Sequence, residues 1–75
     1  MVRAHARKPR DLGAVVRAVR EERGLRQEDL AERLVIPRDY LIALEGGRST
    51  LQLTRLFRTF NELGIKVTLE WEEGS

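Results

Sequence analysis

The stretch LRQEDLAERLVIPRDYLIALEGGR, residues 25–48, decides the fold. Its first half places Leu30, Ala31 and Leu34 at one-face helical spacing, with Gln27 leading and with Glu28 and Asp29 suited to the positive end of a helix. Val35 and Ile36 then run into Pro37, whose ring disfavours helical backbone in the residue before it, so the first helix stops near Leu34. Proline fits the first turn of a helix, and the second half of the stretch points Leu41 and Leu44 inward with Tyr40 beside them. Gly46 and Gly47 end it, because glycine takes left-handed backbone without a side-chain clash. The spacing therefore predicts two short amphipathic helices meeting at a tight corner.

On the N-terminal side, Asp11 is placed to cap a helix running to Arg23, with Leu12, Val15, Val16 and Val19 on one stripe and Gly24 as its stop. Residues 1–10 show no hydrophobic period and read as a basic flexible arm carrying Arg3, Arg7, Lys8 and Arg10. On the C-terminal side, Ser49 with Gln52 reads as a capping box, while the apolar spacing also permits a start nearer Leu53. That last helix is expected to bury Leu53, Leu56, Phe57, Phe60 and Leu63 and to close at Gly64. The period then changes to two: Ile65, Val67, Leu69 and Trp71 alternate with Lys66, Thr68, Glu70 and Glu72, the pattern of a half-buried strand over 65–72 ahead of a tail at 73–75. No second strand is evident, and a lone strand leaves a row of unpaired backbone groups. The expectation is a partner outside the chain.

Two helices joined by so short a turn form a helix-turn-helix by geometry. The run G-L-x-Q-E-x-L-A-x-x-L at Gly24–Leu34, followed by L-E-x-G at Leu44–Gly47, resembles the repressor-type helix-turn-helix domains of phage and bacterial regulators. With the strand-like tail the likeness narrows to the HipB-type antitoxins of toxin–antitoxin pairs, and it spans roughly Asp11 to Trp71. The resemblance implies an all-α, lambda-repressor-like domain of four to five helices over 11–64, with a C-terminal strand that pairs with its copy in a homodimer through Ile65, Val67, Leu69 and Trp71. It further implies a repressor of its own operon that binds double-stranded DNA at a palindromic operator and also binds a HipA-like kinase toxin. The alternatives are a stand-alone repressor and a protein-interaction module whose DNA surface has degenerated.

Under that resemblance the recognition helix is Arg38–Glu45, and the base-reading positions fall on Arg38, Asp39 and Ala43, with Ile42 also facing out. Arg38 can donate two bonds to guanine, and Asp39 can accept from a cytosine amino group. Without DNA the same two residues are a solvated helix start whose acid is favoured by the helix dipole. Gln27 and Arg48 match phosphate-contacting positions, and Tyr40 either reaches a phosphate or packs. Four residues depart from the family pattern. Ile42 and Ala43 stand where polar side chains are commoner; they suit a thymine methyl or a protein surface. Arg26 replaces a capping threonine, a loss of roughly 1 kcal/mol, and Val35 replaces a glycine in the turn. Glu45 matches a glutamate that pairs with an arginine of the first helix, here Arg20.

Composition bounds the rest. Seventy-five residues allow one domain with a small core, a size at which association with a second chain often supplies stability. The absence of cysteine removes disulfides, and the single histidine, His5, cannot build a metal site. That histidine has no neighbour to orient it, and no glycine-rich phosphate loop is present, so neither catalysis nor a cofactor is expected. No apolar run approaches membrane-spanning length, and the N-terminus lacks a signal-peptide h-region, which points to a cytoplasmic protein that does not engage membranes. Net charge is only +2, but it is segregated: the first ten residues are basic, and Glu70, Glu72 and Glu73 crowd the other end.

Overall fold

A computed structural model describes residues 1–73 of the chain. Strand β1 (Val2–Ala6) leads into helices α1 (Pro9–Glu22), α2 (Gln27–Leu34), α3 (Arg38–Glu45) and α4 (Leu51–Leu63), and strand β2 (Val67–Trp71) follows.

All four helices end in one hydrogen-bond pattern. Two or three residues past each helix, a backbone N–H donates five residues back: Leu25 to Arg20 at 3.1 Å, Ile36 to Ala31 at 3.0 Å, Arg48 to Ala43 at 3.0 Å and Ile65 to Phe60 at 2.8 Å. This closure needs a left-handed residue just before the donor. Gly24, Gly47 and Gly64 supply it, with φ of 68°, 85° and 71°. At the corner between α2 and α3 the position is held by Val35, with φ of 56° and 90% exposure. A β-branched residue in that region costs about 1–2 kcal/mol, and its exposed side chain returns almost no burial. Val35→Gly should therefore raise stability by about 1 kcal/mol, read as a higher urea midpoint. A lowered midpoint would show that the valine side chain contributes to the corner.

Several expectations are corrected. The flexible arm is β1 followed by the first turn of α1. Asp11 is not the cap of α1 but sits in its first turn, where its Oδ2 accepts from the backbone of Arg7 at 2.7 Å and Lys8 at 3.1 Å. These bonds hold the Asp11 carboxyl below its usual range, the Arg7 amide contributing most. Pro37 precedes α3 as its N-cap rather than opening the first turn. At α4 neither reading of the start is correct: Thr50 is the cap, its Oγ1 accepting from the Leu53 N–H at 3.1 Å. Ile65 is not a strand residue. It is the apolar residue of the closure after α4, and β2 begins at Val67.

The largest correction concerns the tail. β2 is not a lone strand; it pairs antiparallel with β1 in the register Val2↔Trp71, Arg3↔Glu70, Ala4↔Leu69, His5↔Thr68 and Ala6↔Val67. The fold is thus four helices with a two-stranded sheet, and the claim that backbone pairing forces a second chain does not hold. The two alternations match across the pair, placing Val2, Ala4, Ala6, Val67, Leu69 and Trp71 on one face and Arg3, His5, Thr68 and Glu70 on the other. On the polar face Arg3 meets Glu70 at 2.8 Å, and Thr68 Oγ1 lies 3.3 Å from His5 Nδ1.

The core is small: Ala6, Ala31, Leu41 and Phe57 are buried, with Leu41 the most enclosed, and Phe57 meets Phe60 edge to face at 6.2 Å. Leu34, Leu56 and Leu63 were expected inward but are exposed, because too little chain packs over α2 and α4 to cover their full apolar stripes. The Asn61 side chain ties the end of α4 to the Arg7 carbonyl at 3.1 Å.

Candidate nucleic-acid interface

A buried charge network fixes the angle between the two helices of the corner. Glu45, the last residue of α3, has a side chain only 2% exposed, and Arg20 of α1 grips it with two bonds, Nε to Oε2 at 2.7 Å and Nη2 to Oε1 at 2.9 Å. The same guanidinium donates Nη1 to the Leu25 carbonyl at 2.6 Å. Gln27, the first residue of α2, donates Nε2 to Glu45 Oε1 at 3.2 Å. One carboxylate thus joins the ends of three helices. A carboxylate at a helix C-terminus opposes the dipole and is costly when buried, so it stands only because it is paired. The bonds from Arg20 hold the Glu45 carboxyl below its usual range, outweighing the burial that pushes it up, with Gln27 helping. Glu45 in turn raises the Arg20 guanidinium above its usual value.

Close approach makes this possible. Gly13 of α1 lies against the Leu44 carbonyl oxygen, and a Cβ there would stand 2.9 Å from the Leu44 carbonyl carbon and 3.2 Å from Glu45 Cα. Gly47 lets the turn after α3 reach α1, where a Cβ would stand 2.9 Å from that of Arg10.

The residues expected to meet DNA divide into three groups. Arg38, Asp39 and Tyr40 stand exposed in the first turn of α3, and Tyr40, 61% exposed, does not take the packing alternative. Ile42 is also exposed, so these four side chains of α3 are open to solvent, while Ala43 is half-buried and presents less of itself. Arg48 is exposed in the turn beyond the double glycine. Among the described residues, the side chains of Arg38 and Arg48 make neither hydrogen bond nor ion pair. Gln27 stands apart from the exposed set, being half-buried and held by Glu45. Of the tail residues, Val67, Leu69 and Trp71 are half-buried on the apolar face of the sheet, and Ile65 is exposed in the turn before it.

Arg26 is the N-cap of α2 and, as its sequence reading expects, its side chain supplies no capping bond. Its guanidinium is drawn to Asp29 at 3.1 Å and Glu28 at 3.2 Å. Asp29 Oδ2 also accepts from the Arg26 backbone N–H at 2.9 Å, so an acid three residues on satisfies a backbone group at this helix start. These contacts depress the Asp29 carboxyl, the Arg26 side chain contributing most. The link from Gln27 to Glu45 was not legible, since the two lie 18 residues apart. The Asp29 contact was legible: an acid at the third helical position is a known start signal. Among the described residues, no helix is long and apolar enough to cross a membrane.

Comparison with known proteins agrees with this geometry. Residues 11–60 match the family model described as a helix-turn-helix domain. The chain is 34% identical over 61 residues to the uncharacterized HTH-type transcriptional regulator y4mF of Sinorhizobium fredii, covering 81% of this chain and 80% of that one. It is 44% identical over 50 residues to an uncharacterized HTH-type transcriptional regulator of Methanothermobacter thermautotrophicus, covering 67% and 72%. No solved structure matches the chain significantly. The two short helices locked at their corner by Arg20, Glu45 and Gln27 are those of the helix-turn-helix domain family, to which this chain belongs.

Proposed function

We propose that this protein is a dimeric, sequence-specific DNA-binding transcriptional repressor, with α3 as the recognition helix laid in the major groove of a palindromic operator. The observation that carries the reading is the exposed and unpaired Arg38 at the start of a helix whose other end is locked into the core through Glu45. A free guanidinium on a rigid mount suits bidentate recognition of guanine. Asp39 and Ile42 complete the base-reading surface beside Ala43, while Gln27, Tyr40 and Arg48 meet phosphates. Each copy supplies one recognition helix, and β2 with its apolar residues Val67, Leu69 and Trp71, flanked by Ile65, forms the dimer contact.

Arg38→Ala should weaken operator binding by about 1–3 kcal/mol and relax preference at one base pair of each half-site. Arg48→Ala should weaken all duplexes alike and lower the salt slope by about 1. Gel-shift titration against operator and random duplex separates the two, and equal loss on both for Arg38→Ala would remove it from base readout. That outcome would favour a protein-interaction module, a reading supported by the exposed Val35, Tyr40 and Ile42 around the corner.

The likeness of Gly24–Leu34 and of the strand-bearing tail to HipB-type antitoxins supports a finer reading, in which the protein represses its own operon and binds a HipA-like kinase toxin in the cytoplasm. Co-expression with the adjacent gene product should then give a stable complex. A neighbour that neither binds nor arrests growth leaves the stand-alone repressor.

A further inference from the structure

The sheet has two outer edges, and charge distinguishes them. Residues opposite one another in β1 and β2 have numbers summing to 73, which carries Arg7 to the position across from Lys66 just beyond the last pair. The polar face therefore ends in Arg7 and Lys66 with His5 beside them, around an open cleft of about 420 Å³ that Asn61 also lines. Like charges directly opposite in a sheet repel, and neither Arg7 nor Lys66 has an ion-pair partner among the described residues. At the other end of β2 the Glu72 side chain is likewise exposed and unpaired, only its backbone carbonyl accepting from Arg23 at 3.5 Å.

We propose that a second copy adds at the outer edge of β2, antiparallel and centred on Leu69, so that Lys66 of each chain faces the partner's Glu72. The inference rests on the dimer reading above and fixes its edge and register. Centring on Leu69 pairs the whole of Val67–Trp71 with itself, keeps both apolar faces on one side and sets Leu69 against its own copy. Moving the centre to Glu70 opposes two glutamates. Moving it to Thr68 directs Lys66 at the partner's Glu70, which Arg3 already neutralises, and strands Glu72. Pairing through β1 instead lays Arg3 against the partner's His5, with no acid on that strand to balance them.

The test is charge reversal in two separate chains. Lys66→Glu alone sets Glu against Glu at both contacts, and Glu72→Lys alone sets Lys against Lys. Each should raise the dimer dissociation constant about tenfold to a hundredfold in sedimentation equilibrium. An equimolar mixture of the two variants restores both contacts and should dimerise about as tightly as the unaltered protein. Both positions are exposed, so circular dichroism should show an unchanged fold. Dimeric protein whose affinity ignores these reversals, or rescue of Lys66→Glu by Glu70→Lys in the mixture instead, overturns the register while leaving the dimer. An unaltered protein that stays monomeric overturns the dimer reading itself.

Discussion

Gly13→Ala should destabilise the domain by at least about 2 kcal/mol, although helix propensity alone favours alanine by about 1 kcal/mol. The sign is set by what the new methyl group meets: the backbone of Leu44 and Glu45, which cannot rotate aside as a side chain can. To make room, α1 must move off the C-terminal end of α3. That shift stretches the two bonds between Arg20 and Glu45 and turns α3. A domain of this size holds only about 4–11 kcal/mol in total, so the change is a large fraction of it. Urea unfolding followed by circular dichroism measures it, and a midpoint at or above that of the parent would show that α1 and α3 do not sit this close.

Glu45→Ala should cost more, about 3–5 kcal/mol, because it leaves the Arg20 guanidinium enclosed without its counter-charge. Its side chain is only 10% exposed, too little for water to replace the carboxylate. The same pair gives the fold a defined response to acid. The Glu45 carboxyl is depressed in the folded protein from an ordinary value of 4.5, so its contribution is complete above that pH and is lost as pH falls through the lower folded value. Stability should therefore decline below about pH 5. Asp11 and Asp29 are depressed as well and act in the same direction, but both are solvent-accessible and add little. Glu45→Gln isolates the buried group: its urea midpoint should start lower at pH 7 and fall less on acidification. An identical acid slope in parent and variant would place the titration elsewhere.

Much of this molecule is readable in its residues, and the failures have physical causes. Helical spacing located α2 and α3, because Pro37 and the double glycine bracket them and Leu41 marks the inward face. The pairing of Arg20 with Glu45 was anticipated from the motif, whereas its burial was not, since that depends on how closely Gly13 lets α1 approach. β1 was missed although Val2, Ala4 and Ala6 alternate with Arg3 and His5. Alanine has little β-propensity, and four basic residues among the first ten suggest a solvated arm. What orders that segment is β2, more than 60 residues away, a contact no local pattern reports. Gln27 carries the same lesson at the interface: its type and place suggest a phosphate contact, but only the fold brings it to Glu45.

The central claim, that α3 reads a DNA sequence as one of a symmetric pair, is tested most directly by selecting bound duplexes from a random pool with the unaltered protein. The account predicts one enriched palindrome, its half-sites about 10–10.5 base pairs apart or a multiple of that, each with a guanine position whose preference disappears in Arg38→Ala. A pool that returns no enriched sequence at a salt concentration where the folded protein still retains DNA would contradict it.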